Sequence, residues 1–141
     1  MSNITLNKDF LLDLNGVLNR YEKGFIFICI NDDNIHNEVV EYINKTFNSV
    51  SYSLLLHYQN CGLIYHIENY YKDYNILIVN HIEEYNKLVN DTGYQKLEFV
   101  REALINLNKV YILICKENEL RFFANKLPNI FSWREIVIYY D

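Results

Sequence analysis

The sequence predicts an α/β fold, in which helices cover both faces of a mostly parallel five-stranded sheet to form a three-layer sandwich. Short, continuous apolar runs recur along the chain and are typical of strands that are buried on both faces. Between them lie segments whose apolar residues return every three or four positions, as in amphipathic helices. Because the 141 residues include only four Gly and one Pro, we expect short connections between these elements.

The first predicted elements are a helix over 4–21 and a strand over 25–30. The helix carries apolar residues at three- and four-residue spacing, and the strand is rich in β-branched and aromatic residues. Polar residues 31–34 end the strand and offer N-caps to a helix predicted over 35–47. The apolar residues of that helix lie four apart, at Ile35, Val39, Ile43 and Phe47.

The middle of the chain predicts a second strand over 51–57, followed by a short helix within 61–71. A third strand is predicted over 75–80, because its core is a continuous run of Ile, Leu and Val. Helical periodicity then predicts helices over 81–89 and 94–108.

The last third of the chain predicts two more strands. The first covers 110–115, and a helix over 120–127 follows it and ends at Pro128. A turn through 131–134 leads to the final strand over 136–140. We expect these elements to form a single domain over 1–141, with an N-terminal helix over 1–22 and a core over 23–141.

Charge and composition exclude several classes of partner. The 13 basic residues are scattered among 18 acidic ones, for a net charge of −5. Binding of nucleic-acid phosphates requires clustered Lys and Arg, so we expect no nucleic-acid partner. No apolar run approaches the roughly 18 residues of a membrane span, so we expect no membrane partner.

The cysteines predict a reducing compartment. Cys29, Cys61 and Cys115 form an odd, widely spaced set that is a poor disulfide framework. Cys29 and Cys115 lie inside apolar runs, which indicates buried thiols that behave as small hydrophobes. The first residues show no basic region followed by an apolar stretch, as a signal peptide would. Together these features favour a cytoplasmic protein.

Candidate functional residues follow from the predicted parallel sheet, because ligands of such sheets bind beyond the carboxyl ends of the strands. Three segments end buried strands and carry polar side chains there. They are 31–34, 80–84 and 116–119.

The first of these segments lacks a phosphate-binding loop. Such a loop needs glycines that let backbone N–H groups wrap the phosphates, and a Lys that neutralises them. The connection here is Asn31, Asp32, Asp33 and Asn34. Two carboxylates would repel a polyphosphate at this place. The Lys45–Thr46 pair lies too far along the predicted helix to act as the missing lysine.

Asp32 and Asp33 leave two other interpretations open. Magnesium could bind them, as in a phosphoacceptor receiver domain, which also needs an Asp after the third strand and a Lys after a later one. Asn80 occupies the first of those places, and Lys116 fits the second. Because an amide cannot form an acyl phosphate, helix capping and solvation explain the two acids more simply.

The second segment also departs from an active hydrolase, which would place an Asp at position 80 to hold magnesium. Asn80 is neutral and a poor magnesium ligand. Glu83 and Glu84 could act as bases, but they have nothing to attack without bound phosphate. Their favoured interpretation is that acids at a helix N-terminus complement the helix dipole. We therefore expect no catalytic residues, no metal and no cofactor.

The C-terminal half resembles a known family. Arg101-Glu102-Ala-Leu, the strand over 110–115 and the segment Pro128-Asn-Ile-Phe131-Ser132-Trp133-Arg134 are similar to STAND-type P-loop ATPase domains of bacterial signalling and defence proteins. The segment Gly24-Phe-Ile-Phe-Ile-Cys-Ile-Asn31-Asp32 resembles a branch of that group without the Walker A loop, sometimes called inactive STAND. The resemblance extends from about residue 10 to the last predicted strand.

This resemblance implies a P-loop NTPase-like core without turnover. It also implies that a set of family-motif residues serves packing or contact with a partner. These residues are Arg101, Glu102, Phe131, Ser132, Trp133 and Arg134. We favour packing for Trp133. Arg134 either pairs with an acid such as Glu102 or reaches a partner.

The first functional hypothesis is a non-catalytic protein-interaction or regulatory module of a bacterial defence or signalling system. Its partner would be a protein, such as an effector or a repeat-containing protein. The second hypothesis is a sensor that binds nucleotide without hydrolysing it. The third is a receiver-like signalling domain, which would show the strand order 2-1-3-4-5.

Overall fold

The computed structural model describes residues 6–56 and 62–140 of the chain. Within them, five strands form one sheet in which every neighbouring pair is parallel. They are β1 Gly24–Cys29, β2 Ser49–Ser53, β3 Ile76–Asn80, β4 Val110–Cys115 and β5 Arg134–Tyr139. The order across the sheet is β2-β3-β4-β1-β5. The predicted α/β fold is confirmed, and the sheet is wholly parallel.

Helices cover both faces of this sheet. They are α1 Lys8–Arg20, α2 Asp33–Thr46, α3 Leu63–Tyr70, α4 Ile82–Leu88, α5 Gly93–Phe99, α6 Arg101–Asn106, α7 Glu117–Lys126 and α8 Pro128–Ser132. α1 and α2 pack on one face, where Leu14 and Ile43 join a fully buried cluster with Ile26. α3 to α8 pack on the other face around Phe27 and Leu113.

The strand order decides between two of the expected folds. A receiver domain places β1 between β2 and β3, whereas β1 lies here between β4 and β5. The receiver-like topology is therefore wrong for this chain. The observed parallel sheet, flanked by helices, is consistent with a P-loop NTPase-like core.

The centre of the sheet is the ladder between β1 and β4. It runs in register from Gly24 opposite Val110 to Cys29 opposite Cys115. By contrast, β3 pairs with β4 only over Ile76 to Ile78. The carboxyl ends of β1 and β4 thus stay side by side, while the end of β3 leaves the ladder.

The helix predicted over 94–108 is wrong as a single element. Two helices, α5 and α6, meet at Val100, whose φ of −97° and ψ of 9° leave the α-helical region. The N–H of Val100 contacts the carbonyls of both Lys96 and Leu97 at 3.2 Å. This tighter turn bends the chain between the two helices.

Three further boundaries differ from prediction. The turn expected over 131–134 is wrong, because Pro128 occupies the first turn of α8, where its fixed φ favours the helix. The predicted strand over 51–57 starts two residues earlier and ends at Ser53, and its position 57 lies outside the described residues. The first helix starts at Lys8 rather than residue 4, because Asn7 caps it with its side chain. Residue 4 itself is outside the described part.

The cysteines of the two central strands are buried, as predicted. Burial raises the pKa of Cys29 and raises the pKa of Cys115 to about 12. Both therefore remain neutral thiols within the core, and Cys61 lies outside the described residues. Among the described residues, no helix has the length and apolarity needed to cross a membrane.

Two glycines provide a matched test of the packing. A Cβ at Gly93 would lie 2.7 Å from the Cα of Asn86, whereas a Cβ at Gly16 within α1 meets nothing within 4 Å. We expect Gly93→Ala to lower the free energy of unfolding by about 1–3 kcal/mol through overpacking. Gly16→Ala should raise it by roughly 0.5–1 kcal/mol. Urea denaturation measures both, and equal effects of the two substitutions would contradict the packing of α5 on α4.

Candidate functional site

The adjacent ends of β1 and β4 bring two of the predicted polar segments together. The backbone N–H of Glu117 donates to Oδ1 of Asn31 at 2.9 Å. Nζ of Lys116 lies 3.4 Å from Oδ1 of Asp33. We call this group, Asn31 to Asp33 with Lys116 and Glu117, the β1–β4 edge. It is the place where a nucleotide phosphate would bind in a parallel sheet of this kind.

Asp32 closes the N-terminus of α2 at this edge. Its Oδ1 accepts hydrogen bonds from the backbone N–H groups of Asn34 at 2.8 Å and Ile35 at 3.1 Å. These are the free N–H groups that a bound anion uses at a helix N-terminus. The expected capping role of Asp32 is confirmed, and the protein's own carboxylate occupies the anion position.

Asp33 and Lys116 form a solvent-exposed ion pair. Their side chains are 81% and 47% exposed, so solvent screens the attraction and it contributes little to stability. Lys116 is also the N-cap residue of α7, and its backbone N–H donates to Oε1 of Glu119 at 2.8 Å. Lys45 lies in the last turn of α2 and pairs with Glu41 at 2.6 Å.

The second predicted segment, 80–84, does not join the edge. The carbonyl of Asn80 accepts a hydrogen bond from Leu54 in the direction of β2, and Glu83 pairs with Lys87 on the surface of α4 at 3.5 Å. Within the described residues, no hydrogen bond or ion pair connects Asn80, Glu83 or Glu84 with the β1–β4 edge. The divergence of β3 from β4 explains this separation.

Tyr94 nevertheless lies within the electrostatic influence of acids from both the second segment and α7. Burial raises the pKa of the Tyr94 phenol, and the carboxylates of Glu83, Glu84 and Glu119 raise it further. A neutral phenol therefore lies in the field of three acids. An anionic ligand between α4 and α7 would meet the same repulsion.

A Ser–His contact at the end of β2 was missed by sequence reasoning. Oγ of Ser53 lies 2.7 Å from Nδ1 of His81, and His81 adopts a left-handed backbone with a φ of 64°. A nucleophile–base pair needs a third group that orients the histidine. In the described part of the chain, no such hydrogen bond to the other ring nitrogen is found. The contact follows from the pairing of Ser53 with Asn80 across β2 and β3, which only the folded structure shows.

His36 is a second residue that sequence reasoning did not place at the site. Burial lowers its pKa, while Asp33 and Glu119 raise it and Lys116 lowers it. The charges of Asp33 and Lys116, two members of the β1–β4 edge, therefore act on the His36 imidazole. Among the described residues, no group of three or more His, Cys, Asp or Glu side chains is arranged to hold a metal ion.

The family-motif residues contact one another in pairs. The Arg101 guanidinium lies 5.0 Å from the centre of the Trp133 ring, and that ring is 38% exposed. Arg134 stacks on Phe131 at 4.1 Å and donates to its carbonyl at 2.7 Å. Within the described residues Arg134 has no ion pair, so the pairing with Glu102 is wrong. Trp133 packs against an arginine rather than inside the core.

Glu98 holds the segment 128–134 in place, and no pattern in the amino-acid sequence directly predicted this role. Its two carboxylate oxygens accept from the backbone N–H groups of Asn129 and Ile130, both at 2.8 Å. Leu127 at the N-cap position of α8 has no side-chain acceptor of its own. Glu98 therefore supplies the missing cap from α5. The local signal is indirect: a helix that starts at Pro128 after an apolar N-cap needs an acceptor from elsewhere.

Comparison with known proteins adds little to this geometry. No family model matches the sequence, and no curated protein matches it. One similar solved structure is domain III of the replication initiation protein DnaA from Thermotoga maritima, with 14% identity and a TM-score of 0.47. The similarity covers 98% of this chain and 69% of that chain. It carries no argument about function.

The Asp32 cap can be measured against its neighbour. We expect Asp32→Ala to lower the free energy of unfolding by about 1 kcal/mol, because two N–H groups of α2 lose their acceptor. Asp33→Ala should change it by no more than a few tenths of a kcal/mol, because the Asp33 pair is exposed. Chemical denaturation compares the two variants. Equal losses would show that Asp32 acts through charge alone.

The lowered pKa of His36 predicts a pH dependence. The unfolded chain takes up a proton near pH 6.5, whereas the folded chain does so only at lower pH. Stability should therefore fall as the pH decreases from about 6.5. His36→Gln should weaken this decline, and the remaining decline should reflect His66, whose pKa burial also lowers. Urea titrations between neutral and mildly acidic pH measure the difference, and identical curves for variant and parent would refute it.

Proposed function

We propose that this chain is a non-catalytic NTPase-like module that acts through protein partners, of the degenerate STAND kind, in the cytoplasm of a bacterial defence or signalling system. The single observation that carries the proposal is the Asp32 carboxylate on the N–H groups of Asn34 and Ile35. A phosphate at this position would have to displace it. The family resemblance supports the biological setting.

Electrostatics at the β1–β4 edge supports the absence of nucleotide binding. Asp32, Asp33, Glu117 and Glu119 lie at or next to it, and of the two nearby cations Lys116 already pairs with Asp33, while Arg121 lines the opening with Asn31 and Glu117. Each unit charge of a phosphate 4 Å from a carboxylate would cost about 1 kcal/mol in water and about 4 kcal/mol at a protein surface. Two cations, one of them already paired with Asp33, do not offset the repulsion from four carboxylates.

Among residues 6–56 and 62–140, the arrangement also lacks the parts of a hydrolase. Phosphoryl transfer depends on a metal that bridges the phosphates and on a group that orients the attacking water. Asn80 offers a neutral amide, and Glu83 is engaged with Lys87 on the surface. Both lie away from the β1–β4 edge. A scaffold that retains its sheet while losing these parts is well suited to present surfaces to other proteins.

Thermal denaturation with magnesium and ATP, ADP or GTP tests the proposal. We expect no shift of the unfolding midpoint at millimolar nucleotide. A ligand present at 100 times its Kd would add about 2.7 kcal/mol to stability. A saturable upward shift would therefore overturn the proposal and establish a nucleotide sensor. Asp32→Ala serves as control, because loss of the cap alone should not create nucleotide binding without a phosphate-binding lysine.

A further inference from the structure

The outer edge of β5 is an apolar sheet edge. β5 is the last strand on one side of the sheet, next to β1. Residues 136–140 carry only β-branched and aromatic side chains. Edge strands offer unpaired backbone groups to other strands, and charged residues or Pro commonly prevent such pairing. Neither occurs over residues 136–140, so the sequence of β5 does not block the addition of a further strand.

The hydrogen bonds of β5 show which of its backbone groups face outward. The N–H of Tyr140 donates to the carbonyl of Cys29 at 3.0 Å. In a parallel ladder, the N–H and C=O of one residue point to the same neighbour, and those of the next residue point away. Tyr140 and Ile138 therefore face β1, whereas Val137 and Tyr139 face away from it. Among the described residues, no loop, helix or side chain makes a hydrogen bond to these outward groups.

The two charged residues of β5 lie at its start and are engaged there. Arg134 donates to the carbonyl of Phe131 at 2.7 Å and stacks on its ring. The register between β1 and β5 shifts at Glu135, which makes this residue a bulge that interrupts regular pairing. Its Cγ lies 2.8 Å from the position that a Cβ would take at Gly24. The regular part of the edge, from Ile136 onward, therefore carries no charge.

The opposite edge of the sheet, at β2, is polar. The N–H of Leu54 donates to the carbonyl of Asn80 at 3.1 Å, so the same alternation directs Ser51 and Ser53 outward. Oγ of Ser51 accepts a hydrogen bond from Nδ2 of Asn44 at 3.4 Å. Short hydroxyl side chains suit a solvated edge and offer little apolar contact to a further strand. The two edges therefore differ in what they can bind.

A second copy of β5 is complementary to this edge. In an antiparallel pair with its twofold axis at Ile138, Val137 of each copy lies opposite Tyr139 of the other. Each such pair exchanges two N–H···O=C bonds, and symmetry produces the pair twice. A β-branched side chain then faces an aromatic one, which is a stabilising cross-strand combination. An interface between identical copies requires self-complementarity of this kind.

We propose that this chain forms a symmetric homodimer through antiparallel pairing of β5 with β5 of a second copy. The two sheets then join into one continuous sheet. The bulge selects the register, because an axis at Val137 would place Tyr139 opposite Glu135, where regular pairing is interrupted. The inference goes beyond the proposed function and does not depend on it.

Sedimentation velocity over a wide range of protein concentrations tests the proposal. We expect the parent chain to shift from monomer to dimer as its concentration rises. Tyr139→Pro should abolish the dimer, because Pro has no N–H to donate and the N–H of Tyr139 faces away from β1. Tyr139→Lys should weaken dimerisation by about tenfold, since both aromatic cross-strand pairs are lost. The Tyr139 side chain is 54% exposed, so the fold itself tolerates a lysine there.

Two control variants separate the β5 edge from other surfaces. Ser51→Pro removes an outward N–H from β2, at the position on the other edge that matches Tyr139. Leu12→Ser removes an apolar side chain that is 70% exposed on α1. Both should dimerise like the parent chain. Circular dichroism verifies that each variant is folded, and Tyr139→Lys decides the outcome if Tyr139→Pro does not fold.

Cysteine crosslinking tests the register of the pairing. In a Cys61→Ser background, an equal mixture of Val137→Cys and Tyr139→Cys chains should form a disulfide-linked dimer with oxidised glutathione. Opposed residues of such a pair have Cα atoms about 5.5 Å apart, within the range of disulfides. Each variant alone should crosslink several-fold less, because neither residue lies opposite itself. Cys29 and Cys115 are buried and do not compete.

Three results would overturn the inference. They are a parent chain that stays monomeric up to roughly millimolar concentration, a dimer that persists in both Tyr139→Pro and Tyr139→Lys, and strong crosslinking of Val137→Cys or Tyr139→Cys alone. A monomeric parent would leave the β5 edge to a strand of another protein. All three leave the proposed function standing, whereas nucleotide-dependent stabilisation would overturn that function and leave the dimer unaffected.

Discussion

The in-register ladder between β1 and β4 is the constraint on which the rest of the structure depends. It aligns Gly24 with Val110 and Cys29 with Cys115, so the loops that follow both strands leave the sheet at one level. That alignment allows Asn31 to receive the N–H of Glu117. It also fixes the first turns of α2 and α7 beside each other. The side chains of these two strands lie in the buried clusters on both faces of the sheet.

The consequence for function is that the Asp32 carboxylate occupies the position at the N-terminus of α2 that an anion would take. A helix N-terminus beyond a parallel strand attracts negative charge through its free N–H groups. In this chain Asp32 supplies that charge internally and stabilises α2 by doing so. The same interaction that completes the fold therefore opposes a phosphate.

Local sequence signals predicted the buried strands and the Asp32 cap, because both depend on residues close together in the chain. The parallel direction of the strands was predicted from their alternation with helices. The divergence of β3 from β4 had no local signal in the sequence. The bend at Val100 was missed because the apolar periodicity continues through it. The cap that Glu98 provides to α8 spans 31 residues, and the Ser53–His81 contact spans 28. Contacts of this length depend on the packed fold.

The most direct test of this account is a nuclear magnetic resonance titration of the chain with magnesium ATP, observed at the backbone amides of Asn34 and Ile35. The account predicts that these two signals do not move with nucleotide and that they shift strongly in Asp32→Ala, because their hydrogen bonds to Oδ1 are lost. Saturable, nucleotide-dependent shifts of both amides in the parent chain would contradict it.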